Sequence, residues 1–185
     1  MEHSFKGMKR VTKRALARYP MIGSGKDGEI YRISNDKCVK YFFKEETKQK
    51  ELAALQVGQA SSIIPRLYEH GDNYIVMEFI MGQSLAQHMK HTGSIDTELT
   101  KKILFVRDEF IRLGFTRWDT EVRHILISEQ GHLKVIDHKR AFTSDATVPT
   151  KLFKGMDKFG MLAAFLENVR RLRPELYEEW KDWID

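Results

Sequence analysis

The sequence predicts an α+β chain, with strands gathered in its first part and helices in its second. Two observations carry this. Up to residue 80, short β-branched and aromatic runs alternate with Gly, Asn and Asp turns, as strands do. From Asp96 onward, Leu99, Ile103, Val106, Phe110 and Leu113 recur at intervals of four and three, which is one face of a helix. Strands followed by helices indicate an α+β arrangement rather than alternating βαβ units. Gly82 breaks the pattern and marks a boundary near residues 80–83.

Bulk properties narrow the class. The chain has 185 residues, 42% hydrophobic and 31% charged, enough for one domain or for one domain of two small lobes. No segment approaches the ~20 apolar residues of a membrane span, and the first residues are basic and polar rather than an apolar leader. Cys38 is the single cysteine, which excludes an internal disulfide and a cysteine-rich zinc site. A cytoplasmic location without membrane contact is the expectation. The net charge of +5 permits anionic partners without demanding them.

Residues 1–18 form a basic arm, with Lys6, Lys9, Arg10, Lys13, Arg14 and Arg18 against Glu2. Val11 and Leu16 are its main apolar points. It reads as a solvated or frayed arm, or one packed on the following lobe. Contact with nucleic acid is the alternative. It is not favoured, because no aromatic residues interleave the charges for base stacking.

Ile22-Gly23-Ser24-Gly25-Lys26-Asp27-Gly28-Glu29-Ile30 carries three glycines in a G-x-G-x-x-G pattern. Before a helix this would be a dinucleotide fingerprint. Here Glu29 to Ile33 alternates like a strand, Asn35-Asp36 marks a turn, and Val39 to Phe43 reads as another strand. The result is an antiparallel meander with a glycine turn, the arrangement of a loop over phosphates. Lys40 lies inside the third strand, either snorkelling from an edge or serving as a functional cation. Glu45 to Gln56 has helical spacing. Glu51 on that helix could pair with Lys40, with Glu45 and Glu46 as alternatives. Ile64 to Tyr68 and Tyr74 to Ile80, separated by Gly71-Asp72-Asn73, add two more strands.

In the second part, Asp96 or Thr97 can cap the helix that follows, and Gly114 can end it. Ile125 to Ser128 and His132 to Ile136 flank Gln130-Gly131 and predict a hairpin. With a Gln130-Gly131 loop, Glu129 pairs with His132 and Ile125 with Ile136. His124 then lies across from Asp137, with Asp119 one loop upstream. Two carboxylates and an imidazole would meet at one end of a small sheet. Residues 138–156 show no clear period. Asp157 to Leu172 reads as a helix that Pro174 ends or interrupts. Tyr177, Trp180 and Trp183 are spaced to share one helical face.

In this order the features resemble the protein kinase-like fold, over roughly residues 20–170. Gly23, Gly25 and Gly28 resemble its glycine-rich loop, and Cys38-Val39-Lys40 the strand with the phosphate-binding lysine. Glu51 resembles the paired glutamate, and Val76 to Ile80 the hinge, with Met77 as gatekeeper. Asp119 matches the catalytic aspartate, His124 the loop asparagine, and Asp137 the metal-binding aspartate. Asp157 resembles the structural aspartate that starts the helix beneath the catalytic loop. There are departures. Arg117 and Trp118 replace the histidine and arginine before the catalytic aspartate, and Glu121 stands where lysine is usual. His138-Lys139 replaces phenylalanine-glycine, and an alanine-proline-glutamate motif is missing. The pattern is most similar to compact atypical kinases, such as the RIO type or the small kinase associated with tRNA threonylcarbamoylation.

The resemblance implies a two-lobed fold. Residues 19–81 would form an antiparallel N-lobe sheet with one helix, and residues 82–185 a truncated, mostly helical C-lobe. It implies an ATP-dependent phosphotransferase, serine/threonine protein kinase-like, acting on a protein or small-molecule acceptor. ATP would contact Ile22, Gly23, Gly25, Gly28, Ile30, Cys38, Lys40, Glu51, Met77, Glu78, Ile80 and Leu126. Asp137 and His124 would hold Mg²⁺, or Mn²⁺ given the imidazole. Asp119 would orient the acceptor. The alternatives are a pseudokinase, that is a nucleotide-binding interaction module, and a nucleic-acid-associated ATPase.

Overall fold

The computed structural model describes residue 5, residues 7–143 and residues 148–183. Two units make up the chain: Met1–Met81 with Asp137–Arg140, and Gly82–Ile136 with Ala141–Asp185.

The first unit is built on an antiparallel sheet of five strands in the order β1-β2-β3-β5-β4. These are β1 (Met21–Ser24), β2 (Gly28–Arg32), β3 (Lys37–Phe42), β4 (Leu67–His70) and β5 (Tyr74–Glu78). The meander read from the glycines and the Asn35-Asp36 turn is present, with Ile30 opposite Lys40 and Tyr31 opposite Val39. Two helices accompany the sheet, α1 (Lys13–Leu16) and α2 (Glu45–Gly58). The arm is not a solvated appendage. Phe5, Val11 and Leu16 are buried with Tyr31, Ile33, Val39, Tyr74 and Val76 in one apolar cluster. Asn73 fixes it: its Oδ1 accepts the Val11 N–H at 3.0 Å and its Nδ2 donates to the Val11 carbonyl at 2.9 Å. Lys9, Arg10, Lys13, Arg14 and Arg18 stay exposed because apolar residues of the same segment are needed in the core.

The second unit opens with β6 (Gly82–Ser84), followed by α3 (Leu85–Thr92) and α4 (Thr97–Arg112). Asp96 caps α4, its Oδ1 accepting the Leu99 N–H at 2.7 Å, and Gly114 ends it with φ +72°. The apolar stripe Leu99, Ile103, Val106 and Phe110 is buried as its spacing requires. β7 (Ile125–Ser128) and β8 (Leu133–Val135) form the predicted hairpin, and β6 pairs with β7.

The hairpin register differs by one residue from the expectation. Ile125 faces Val135, and the Ser128 N–H donates to the His132 carbonyl, leaving Glu129-Gln130-Gly131 as the loop. Gly131 at φ +77° takes the left-handed position that a three-residue loop needs. His124 therefore bonds to Ile136, whose N–H donates to the His124 carbonyl at 3.0 Å, rather than standing opposite Asp137.

Three helices follow: α5 (Thr150–Lys158), α6 (Leu162–Leu172) and α7 (Pro174–Trp180). The single helix expected over 157–172 is divided. Gly160 at φ +69° and the Met161 N–H donating to the Met156 carbonyl end α5 in a left-handed cap. Asp157 is thus an exposed residue in the last turn of α5, not the start of a helix. Pro174 opens α7, where its missing N–H costs nothing. Trp180 is buried, stacked on Trp118 at 5.9 Å between ring centroids and edge-on to Phe153. Among the described residues no helix is long and apolar enough to cross a membrane.

Candidate functional site

The first unit carries the glycine turn, the lysine and its acid. The turn joins β1 to β2 and closes with the Gly25 N–H donating to the Gly28 carbonyl at 3.0 Å. Its glycines do different things. A Cβ on Gly28 would lie 2.0 Å from the Tyr41 carbonyl oxygen, so this glycine lets β2 approach β3. A Cβ on Gly25 would meet nothing within 4 Å. Gly25 therefore leaves backbone open to approach by a ligand, as an anion-binding turn requires. Gly23 packs against Ile30, and Ile22 is exposed beside it.

Lys40 sits mid-strand between Ile30 of β2 and Ile75 of β5, which makes it interior to the sheet rather than on an edge. It is 8% exposed, and its Nζ lies 2.6 Å from Glu51 Oε2 on α2. Of the three acids considered, Glu51 is the partner; Glu46 pairs with Lys50 instead. The Glu51 carboxyl is 2% exposed, and burial pushes its pKa up while the Lys40 charge and hydrogen bond pull the other way. A buried pair of this kind is weak evidence for stability, because desolvation offsets much of the attraction. It is stronger evidence for a side chain held in place.

Cys38 faces Met77 across β3 and β5, and both are buried. Burial pushes the Cys38 thiol up to about 12, which keeps it neutral. The chain then leaves β5. The Glu78 carboxylate accepts the Arg66 N–H at 3.0 Å, and the Phe79 N–H donates to Asp36. Ile80 follows, half-buried.

Asp137–Arg140 belongs to this unit despite its distance in sequence. Among the described residues Asp137 is the one non-glycine with positive φ, at 66°. Such backbone is costly for a side-chain-bearing residue and tends to persist at functional positions. Lys139 donates to Asp27 in the glycine turn and stands 3.6 Å from Asp137 Oδ2. The sequence reading passed over this lysine as a departure; a cation two residues past a candidate metal aspartate was the available signal.

The second unit carries Asp119, His124 and Leu126. Asp119 is 6% exposed and sits at the start of α5. Its Oδ1 accepts the Lys151 N–H at 2.7 Å and the Leu152 N–H at 3.4 Å, and its Oδ2 accepts the Thr150 hydroxyl at 3.3 Å. α5 has no side-chain cap of its own because Pro149 precedes it, so Asp119 supplies one from a distance. Glu121, in the position expected to hold a lysine, is bound by Arg123 Nε at 2.6 Å and lies 3.9 Å from Lys151 Nζ. Burial raises the Glu121 carboxyl, but the Arg123 hydrogen bond and the charges of Arg123, His124 and Lys151 outweigh it, and its pKa is lowered. Leu126 is half-buried in β7, opposite Ser84 and Lys134.

Among the described residues no group of three or more His, Cys, Asp or Glu side chains is placed to hold a metal ion. The chemistry of Asp137 still fits a hard cation of the Mg²⁺ type. Such ions take one or two protein carboxylates and complete their shell with phosphate oxygens and water.

No family model matches the sequence. The chain is similar to "Putative serine/threonine-protein kinase YrzF" of Bacillus subtilis, 26% identical over 125 residues, or 65% of this chain and 58% of that protein. It is also similar to serine/threonine-protein kinase ppk18 of Schizosaccharomyces pombe, 26% identical over 158 residues, or 80% of this chain and 12% of that protein. The chain thus spans less than two thirds of each.

Proposed function

We propose that the chain is an ATP-dependent phosphotransferase, serine/threonine protein kinase-like and two-lobed, acting on a hydroxyl of a protein or small molecule. The observation that carries this is the Lys40–Glu51 pair, a lysine inside a five-stranded sheet fixed at 2.6 Å by an acid on the accompanying helix. The glycine turn with its open Gly25 and the similarity to two proteins named as kinases support the same reading.

Phosphoryl transfer asks a protein mainly for positioning and charge neutralisation. In this reading the N–H groups around Gly23 and Gly25 approach the phosphates. Lys40, aimed by Glu51, contacts the inner phosphates. Ile22, Ile30 and Cys38 would flank the base, and the backbone from Glu78 to Ile80 would hydrogen-bond its edge beside Met77. Asp137 would hold Mg²⁺ or Mn²⁺. A bound divalent ion supplies neutralisation of the charge on the transferred group. Asp119 would orient the acceptor hydroxyl. The test is ATP turnover or autophosphorylation with Mg²⁺ or Mn²⁺, compared with Asp137→Ala. Loss of transfer in the variant is expected; equal transfer overturns the reading.

A second reading has its own observation. The Asp119 carboxylate is occupied at the start of α5, as a purely structural aspartate would be. A nucleotide-binding module without transfer activity fits that geometry. ATP-dependent thermal stabilisation without phosphoryl transfer, under Mg²⁺ and under Mn²⁺, would select it. The nucleic-acid-associated ATPase has no comparable support, since Val11 and Leu16 give the basic arm a place in the core.

A further inference from the structure

The first unit holds a second charge assembly besides Lys40 and Glu51. The Lys139 ammonium is shared by two carboxylates, donating to Asp27 and standing 3.6 Å from Asp137 Oδ2. Asp27 is part of the glycine turn, next to Gly28, and its carbonyl accepts the Phe43 N–H at 3.0 Å. The three side chains are each about one quarter exposed, 24–25%, so their charges are only partly screened by water. A lysine ammonium placed between two carboxylates is a cation at neutral pH.

A fixed positive charge beside Asp137 has a direct consequence for a divalent ion held there. The two cations repel, and they compete for one carboxylate. Asp27 moderates this by drawing the ammonium toward the glycine turn. We propose that Lys139 is a positioning residue that competes with the divalent ion of a metal–polyphosphate for Asp137, and that Asp27 sets the outcome by holding Lys139 on the glycine turn. Metal entry leaves Lys139 with Asp27 alone, which clips the turn down as the metal–phosphate complex is taken up. The inference rests on the phosphotransferase reading and deepens it.

The Lys139 ammonium and the Asp27 carboxylate lead to opposite signs. Removing Lys139 eases metal entry. Removing the Asp27 charge leaves Lys139 to Asp137 and hinders it. The experiment measures the thermal shift of the full chain at saturating AMP-PNP as Mn²⁺ is titrated. Lys139→Met should lower the Mn²⁺ needed for half the shift by several-fold. Asp27→Asn should raise it by several-fold, and the double variant should behave as Lys139→Met, because Asp27 acts through Lys139. Lys139→Arg should stay near the unaltered chain. A merely structural role would move both single variants the same way, and that result overturns the inference. A shift in the unaltered chain whose Mn²⁺ dependence ignores both substitutions also overturns it, while leaving the nucleotide reading intact. No AMP-PNP shift in the unaltered chain with either metal removes the nucleotide reading and this inference together. If Lys139→Met does not fold, Asp27→Asn alone decides: an unchanged or lowered Mn²⁺ requirement overturns the inference.

Discussion

Asp119 Oδ1 accepts the backbone N–H of Lys151 at 2.7 Å, so the residue expected to orient the acceptor also starts a helix. Asp119→Ala removes that cap and should cost about 1–2 kcal/mol of stability. Asp119→Asn keeps an acceptor oxygen and should cost well under half of that. Urea denaturation of the two variants checks this. Activity lost in the alanine variant mixes chemistry with folding, whereas the asparagine variant separates them.

Gly28 and Gly25 should respond in opposite ways to alanine. At Gly28 the added Cβ meets a backbone oxygen at 2.0 Å, and neither strand can give way without losing pairing. Gly28→Ala should cost about 3 kcal/mol, at the upper end of overpacking costs, or prevent folding. Gly25→Ala meets nothing and should change stability by less than about 0.5 kcal/mol. Any loss of nucleotide affinity in Gly25→Ala is then a local effect. Thermal denaturation, with and without nucleotide, distinguishes the two positions.

Asn73→Ala removes both hydrogen bonds that Asn73 makes to the Val11 backbone in a buried setting. Leaving those groups unsatisfied should cost about 2–3 kcal/mol. In hydrogen exchange, the Val11 amide should lose protection first, followed by residues of β1 and β2. Deleting residues 1–18 should be worse, since it removes Phe5, Val11 and Leu16 from the core. Such a deletion is therefore a poor probe of nucleic-acid binding.

Glu29 ties the arm to β2 electrostatically. Its carboxylate accepts from Lys13 Nζ and from the Tyr31 hydroxyl, both at 2.7 Å. The Lys13 hydrogen bond, then the Tyr31 one, holds its pKa below the usual 4.5, and burial only partly opposes them. The folded chain thus binds fewer protons at Glu29 than the unfolded chain does. The stabilisation is present above the unfolded pKa of 4.5 and is lost as pH falls from there through the lowered folded one. Stability followed by denaturation from neutral to acid pH should decline less steeply in Glu29→Gln than in the unaltered chain.

Periodic features were legible in the sequence because each is decided by neighbours a few residues away. The β1–β3 meander and the α4 stripe have this character, whereas the acid on α2 stayed open among Glu45, Glu46 and Glu51. Features set by a single backbone angle were less so. Gly131 could serve a two- or a three-residue loop, and that choice moved every pairing of the hairpin by one residue. Gly160 divided a helix whose apolar spacing continued across it. Long-range partners left no local trace. Asp27 and Lys139 are 112 residues apart, and Asp119 reaches 32 residues to cap α5. Val11 and Leu16 were legible as apolar points, but Phe5 was not, because nothing in a segment crowded with lysine and arginine marks it as core until Tyr74 is placed beside it.

The assignment of Asp137–Arg140 to the first unit bears on how the molecule can be dissected. The chain passes between the units three times, after Met81, after Ile136 and after Arg140. Neither unit is therefore a continuous stretch of polypeptide. A fragment ending at Met81 would lack Lys139, the partner of its own glycine turn, and a fragment beginning at Gly82 would carry four residues that belong elsewhere. A single nick near residue 81 frees residues 1–81, while Asp137–Arg140 stays joined at both ends to the second unit. Work on the separate halves calls for a split chain assembled in trans, or for Asp137–Arg140 grafted onto the end of the first unit through a flexible linker.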